Sequence, residues 1–200
     1  MDGRVARSER SRRAIVAAHL ALIDEGDLRP TGERIAGRAG LSVRSLWTNF
    51  KDMESLYAAT GALVNERRDA LHRPVPADLP LAERVALFCA QRAEALEMLA
   101  PSARASALRE PFSAALRANR AANVARVRAH VEETFAAELA LAGVGREPLA
   151  DALTVACTWS TWSMLRDILH LSIADARANM HRTMWGLLMA PIPTGATPSR

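Results

Sequence analysis

The chain has 200 residues, half of them apolar and only 4% aromatic, with a formal net charge of +4. That apolar share is enough for a sizeable core and excludes a disordered chain. Its longest charge-free stretch of interest, Ala152–Leu165, is 14 residues with five hydroxyl side chains, too short and too polar to span a bilayer.

Ala, Leu and Arg dominate, and Val and Ile are scattered, so no strand is expected and the fold class reads as all-α with about nine helices. The first helix is expected over about 8–25, with Ile15, Ala18, Leu22 and Ile23 on one face and Gly26 ending it. Thr31 can cap a second helix that turns Ile35, Ala36 and Ala39 inward. Gly40 stands where a left-handed residue would end that helix, and Leu41 plugs the corner. Ser42 can cap a third helix with Leu46 and Phe50 inward and Val43, Arg44, Trp47 and Thr48 largely outward. Two short helices joined by a tight Gly-containing turn describe a helix-turn-helix, whose second helix enters the DNA major groove. Arg44, Ser45, Thr48 and Asn49 on the outward face suit phosphates and base edges, where a buried helix would carry Leu or Val.

Asp52 can cap a fourth helix that fades near His72. Three prolines within Arg73–Pro80 mark the internal boundary. Beyond it, helices are expected over about 81–100, stopping at Pro101, and from there to Glu110. A long helix over 112–141 should turn Leu116, Val124, Val127, Val131, Phe135 and Leu139 inward. Two last helices cover 148–171 and 172–190; in the second, Ile173, Met180, Met184, Leu187 and Leu188 form the apolar stripe, and Ser172 the cap. The charge-free run should bury more than one face.

The domains expected from this layout are a helix-turn-helix domain over 1–55, a connecting helix and Pro-rich linker over 56–80, a larger helical domain over 81–190 and a tail over 191–200. The charge follows the same division. Residues 1–51 hold ten of the 26 basic and six of the 22 acidic residues, so the whole excess of +4 sits with the helix-turn-helix. A polyanion-binding module would carry such a footprint, although a solvated basic tail is the competing reading of residues 4–13. Cys89 and Cys157 lie in apolar helical segments and read as buried free thiols, a disulfide between them being open. The charged N-terminus has no apolar leader, so a cytoplasmic location without membrane attachment is expected.

With these residues laid out, positions 10–64 resemble the TetR family of bacterial transcriptional regulators. The resemblance lies in the Arg-rich start of helix one and its Ala18-to-Gly26 ending. It continues through Thr31, Ile35-Ala36, Ala39-Gly40-Leu41-Ser42, Ser45-Leu46-Trp47-Thr48-Asn49-Phe50 and Leu56. It implies phosphate-contacting roles for Thr31, Ser45, Trp47 and Asn49, and base-facing roles for Val43, Arg44 and Thr48. Tyr is usual where Trp47 stands, His is common at Asn49, and the Lys usual at Met53 is absent, leaving Lys51 to compensate. The resemblance further implies a homodimeric regulator, most often a repressor, on a palindromic double-stranded DNA operator, with release by a small, mostly apolar effector and no cofactor. From residue 80 on it rests on helix number and length alone. Candidate effector contacts are Phe88, Gln91, Met98, Phe112, Thr158, Trp159 and Trp162; candidate dimer contacts are Trp159, Trp162, Met164 and Met184. Ordinary core packing is the competing reading for each.

An enzyme is the least favoured class. The chain has no P-loop, G-x-S-x-G, H-E-x-x-H or C-x-x-C pattern, and its five histidines lack ligand spacing. A single Asp167-x-x-His170 is the nearest approach to a di-iron motif, which needs a pair. Among DNA binders, a non-specific or architectural protein without effector control is the alternative.

Overall fold

A computed structural model describes residues 3–190, with side chains from Val5 onward; the expected tail at 191–200 lies outside the described residues. The described residues are all-α, with ten helices and no strand. In chain order these are α1 (Gly3–Asp24), α2 (Gly32–Arg38), α3 (Val43–Asn49), α4 (Met53–Asp69), α5 (Leu81–Ala107), α6 (Ala114–Thr134), α7 (Ala136–Leu141), α8 (Arg146–Ala156), α9 (Trp159–Ser163) and α10 (Ile173–Met189). No helix among them is long and apolar enough to cross a membrane.

The chain forms two compact units. One gathers residues up to Leu71 together with Met98–Ala122; the other gathers His72–Glu97 with the chain from Asn123 onward. The first unit is built on α1, whose Ile15, Val16 and Leu22 pack with Ile35 and Ala36 of α2, Leu46 of α3, Phe50 and Leu56. A second small cluster joins Leu20, Val64 and Leu99. The start of α6 docks on α4: the Glu54 carboxylate accepts from the Ala115 amide (3.0 Å), and Asn119 Nδ2 donates to the Tyr57 carbonyl (3.2 Å). The Ala115 amide, with the Ser113 hydroxyl, also holds the Glu54 carboxyl below the usual carboxylate range.

The second unit packs Val85, Phe88 and Leu96 of α5 against Val131, Phe135, Leu139, Leu153, Trp162 and Met180. Both cysteines are free and buried there, and burial pushes each thiol up to about 12. Three arginines reach into this unit. Arg84 donates to both Glu138 oxygens and to the Thr134 carbonyl (2.8 Å). Arg92 donates to the Cys157 carbonyl (2.8 Å). Arg166 shares Glu97 with the Trp162 indole N–H (2.9 and 2.8 Å).

All four caps expected from the sequence are present: Thr31, Ser42, Asp52 and Ser172 each accept from a backbone amide three residues on. Four of the expected helices differ in their bounds; the first begins at Gly3 rather than near Ser8. The helix expected to stop at Pro101 continues to Ala107, because Leu99, Ala100 and Ala105 are buried around the proline and packing outweighs the donor it removes. The helix expected over 112–141 begins at Ala114, where Ser113 Oγ accepts the Leu116 amide, and breaks at Phe135, whose ring is buried against Phe88. The helix expected over 148–171 breaks at Cys157–Thr158. There Thr158 and Thr161 both donate to the Val155 carbonyl (3.0 and 2.7 Å) while Arg92 takes the Cys157 carbonyl, so side chains replace the helical ladder. The chain resumes in α9 and then a π turn, Met164–Ile168. Val124 and Ile173, expected inward, are 38% and 47% exposed.

His19 ties α1 to α4. It is buried, and its Nδ1 lies 2.8 Å from Thr60 Oγ1. Burial lowers its pKa from 6.5 to about 4. The unfolded chain therefore takes up the proton first: this contribution is complete above pH 6.5 and is lost as the pH falls towards 4. Full protonation would cost about 3 kcal/mol, of which about 2 is lost between pH 7 and pH 5. Denaturant titrations of the wild type and His19→Gln should show their stability difference shrinking by about that amount over this interval; a difference independent of pH would show that His19 does not fold neutral.

Candidate nucleic-acid interface

The connection between α2 and α3 is fixed by backbone hydrogen bonds. The Leu41 amide donates to the Ala36 carbonyl (2.9 Å) and the Gly40 amide to Gly37 (3.1 Å), the paired bonds of a Schellman ending. Gly40 has φ 67°, the left-handed conformation that this ending requires. Leu41 then packs on the core of the unit, and Ser42 caps α3 by accepting from the Ser45 amide (3.1 Å). Leu46 and Phe50 are fully buried beneath α3.

The opposite side of α3 faces out. Arg44 and Thr48 are exposed and Trp47 is 40% exposed, while Val43, Ser45 and Asn49 are half-buried. The Arg44 guanidinium and the Trp47 indole N–H have no partner among the described residues, so both remain free to donate. The Thr48 hydroxyl donates to the Arg44 carbonyl (2.8 Å), which leaves its lone pairs as acceptors. Asn49 is engaged on both sides of its amide: Nδ2 donates to the Ser45 carbonyl (2.8 Å) and Oδ1 accepts from Ser8 (3.3 Å). Thr31 is exposed as the cap of α2, with its oxygen 3.4 Å from the Arg34 amide, and Lys51 is exposed just after α3. The structure thus brings Val43, Arg44, Ser45, Trp47, Thr48 and Asn49 together on one helix. Trp47 reaches back to α2, where a Cβ on Gly32 would stand 2.9 Å from its ring.

The positive charge of this region is partly spent internally. Arg34 pairs with Asp27 (2.8 Å), Arg38 with Glu25 (2.5 Å) and Arg13 with Glu9 (3.4 Å). Arg12 lies over the Phe50 ring (4.1 Å) and donates to the Asn49 carbonyl (2.8 Å). Arg7, Arg10, Arg29, Arg44 and Lys51 are exposed.

The residues named for an effector do not form one group. Met98 and Phe112 belong to the first unit, where Met98 packs beside Leu20, Val64 and Leu99 and Phe112 is 89% exposed on a short 3-10 turn. Phe88, Gln91, Thr158, Trp159 and Trp162 belong to the second. Phe88 and Trp162 are core there, Gln91 Oε1 accepts from the Arg73 amide (3.3 Å), and Trp159 is half-buried. Of the four residues named for a dimer contact, Trp162 and Met184 are buried within this chain's own second unit, Trp159 is half-buried, and Met164 is 51% exposed. Ile168 and Leu169 are exposed beside Met164 and were not anticipated; the π turn that presents them has no signal in hydrophobic periodicity. Also unanticipated is His130, whose Nε2 is buried without a hydrogen-bond partner. It stands against His72 and Phe88, with ring centroids at 4.5 and 4.7 Å. Burial, His72 and Arg92 together lower its pKa to about 4.

Comparison with known proteins gives no match, whether to protein-family models, curated proteins or solved structures. The reading of this interface therefore rests on its own geometry.

Three glycines within nine residues should respond oppositely to alanine. At Gly37 a Cβ meets nothing, so Gly37→Ala should stabilise by about 0.5–1 kcal/mol, as alanine does in a helix interior. Gly32→Ala should destabilise by crowding the Trp47 ring, and Gly40→Ala by about 1–2 kcal/mol through its positive φ. Urea titrations decide this; a neutral Gly40→Ala would refute the left-handed turn.

Proposed function

We propose that the chain is a sequence-specific DNA-binding transcriptional regulator of the TetR type, with α2 and α3 as its helix-turn-helix and α3 as its reading helix. The observation that carries this reading is the free Arg44 guanidinium beside Trp47 and Thr48, on a short helix anchored by Leu46 and Phe50. A guanidinium fork matches the O6 and N7 acceptors of guanine, and the exposed indole N–H suits a phosphate oxygen. The excess of positive charge in residues 1–51 gives the non-specific attraction on which such reading is built.

In this reading the second unit dimerises and takes the effector. Two copies related by a two-fold axis would present two reading helices to a palindromic site. The exposed apolar residues Met164, Ile168 and Leu169 are the surface it offers for that contact. A small apolar compound that prefers a DNA-incompetent form would release the operator by population shift. Repression is the simplest outcome of occupying a promoter, and the position of the site decides it.

Selection of bound duplexes from a randomised library, with the full-length protein at physiological salt, tests the reading. A regulator should enrich a two-fold-symmetric site and bind it about three or more decades more tightly than random DNA. Uniform, weak, salt-sensitive retention would make the protein an architectural binder. On the enriched site, Arg44→Ala should cost about 1–3 kcal/mol and relax the preference at one base pair in each half-site. Equal loss on every duplex would instead make Arg44 a phosphate contact.

A further inference from the structure

Four contacts at the end of α3 come from α1 or fold back within α3 itself. The Asn49 carbonyl, left without a helical partner where α3 ends, accepts from Arg12 Nη1 (2.8 Å). The same guanidinium lies 4.1 Å above the buried Phe50 ring. Ser8, one turn earlier on α1, donates to Asn49 Oδ1 (3.3 Å), while Asn49 Nδ2 holds the Ser45 carbonyl (2.8 Å). A cation at a helix C-terminus also complements the helix dipole. The Phe50 backbone is extended (φ −130°, ψ 125°), so α3 ends at this clamp.

We propose that Arg12, assisted by Ser8, is the positioning residue of the reading helix: it fixes the pitch of α3, and through it the direction of Arg44 and Thr48. This rests on the DNA-reading role assigned to α3 above. It also reassigns Asn49 from a phosphate contact to the link between α1 and α3. A helix of seven residues has too few internal bonds to hold its own orientation, so its ends must be held from outside. Ser42 holds the first end from the turn, and Arg12 holds the last. Lysine cannot replace it, because one planar group both covers the Phe50 ring and donates to the carbonyl, whereas an ammonium is a compact point charge.

The test uses the full-length chain with Arg12→Ala and Arg12→Lys, the latter keeping the charge and safeguarding against loss of fold. Hydrogen exchange is followed at the α3 amides, with α10 as internal control. Affinity is measured for a library-selected duplex and for a shuffled duplex of equal composition, across a range of salt. The proposal expects both variants to exchange faster at Asn49 and Phe50 with α10 unchanged. Affinity for the selected duplex should fall by about tenfold, the cost of roughly one mismatched base pair, with little change on the shuffled duplex and an unaltered salt slope. Unchanged exchange in α3 would overturn the clamp. Equal losses on both duplexes, with the salt slope reduced by about one for Arg12→Ala, would make Arg12 a phosphate contact and overturn its positioning role. If the wild type discriminates no duplex, the regulator reading fails and the reading role of the clamp falls with it, while the exchange data still decide whether Arg12 holds α3.

Discussion

The outward face of α3 is defined by the seam beneath it, where Leu46 and Phe50 are sealed against Ile15, Ile35 and Ala36. Seven residues give α3 little stability of its own, so its existence and its direction are both tertiary effects. The seam fixes which side points inward, and the Gly40 turn fixes the angle at which the chain arrives. Ser42 satisfies one end and Arg12 the other, while the Trp47 ring lies against α2 where Gly32 leaves it room. Those constraints come from three segments, α1, α2 and the turn, and converge on about two turns of helix. The Arg44 guanidinium can remain free because nothing in the fold needs it, and Thr48 keeps its lone pairs after donating to the Arg44 carbonyl.

The charge of the region separates along the same line. Of its arginines, Arg12, Arg34 and Arg38 are structural: they close the end of α3 and tie α2 to the Glu25–Asp27 segment behind α1. The Arg38–Glu25 pair is exposed and contributes little to stability, whereas Asp27 is half-buried beneath Arg34. The acids of both pairs are already subtracted in the net +4, so the pairing leaves that excess in place and concentrates it at Arg44, Lys51 and the exposed arginines of α1. For the proposed DNA-reading role, base contacts would have to be well placed, which would give the clamp at Asn49 its importance.

Much of the first unit was legible because its signals are local. A cap followed three residues on by the amide it serves, a glycine at a helix end and a buried pair one turn apart are all visible within a ten-residue window. Thr31, Gly40, Ser42, Leu46, Phe50 and Asp52 each stand where such a window puts them. What it could not show is the engagement of Asn49, because its partners Ser8 and Arg12 lie 41 and 37 residues away. The return of Met98–Ala122 to the first unit is equally invisible to a linear reading; it depends on Glu54 capping α6 and on Asn119 closing over α4.

In the second unit the helix breaks themselves are non-local. The hydroxyl run Thr158–Ser163 is a visible weakness, but a weakness becomes a break only when something takes up the released carbonyls. Arg92, 65 residues away, takes that of Cys157, and Arg84 reaches 50 residues to Thr134, just before the break at Phe135. A buried guanidinium requires acceptors, and an interrupted helix requires donors. Each makes the other tolerable, so the two are specified together. Buried polar pairs of this kind are weak evidence for added stability. Their effect here is on register: an unbroken α8–α9 helix would take the Cys157 carbonyl away from the Arg92 guanidinium, and that alternative packing is thereby disfavoured.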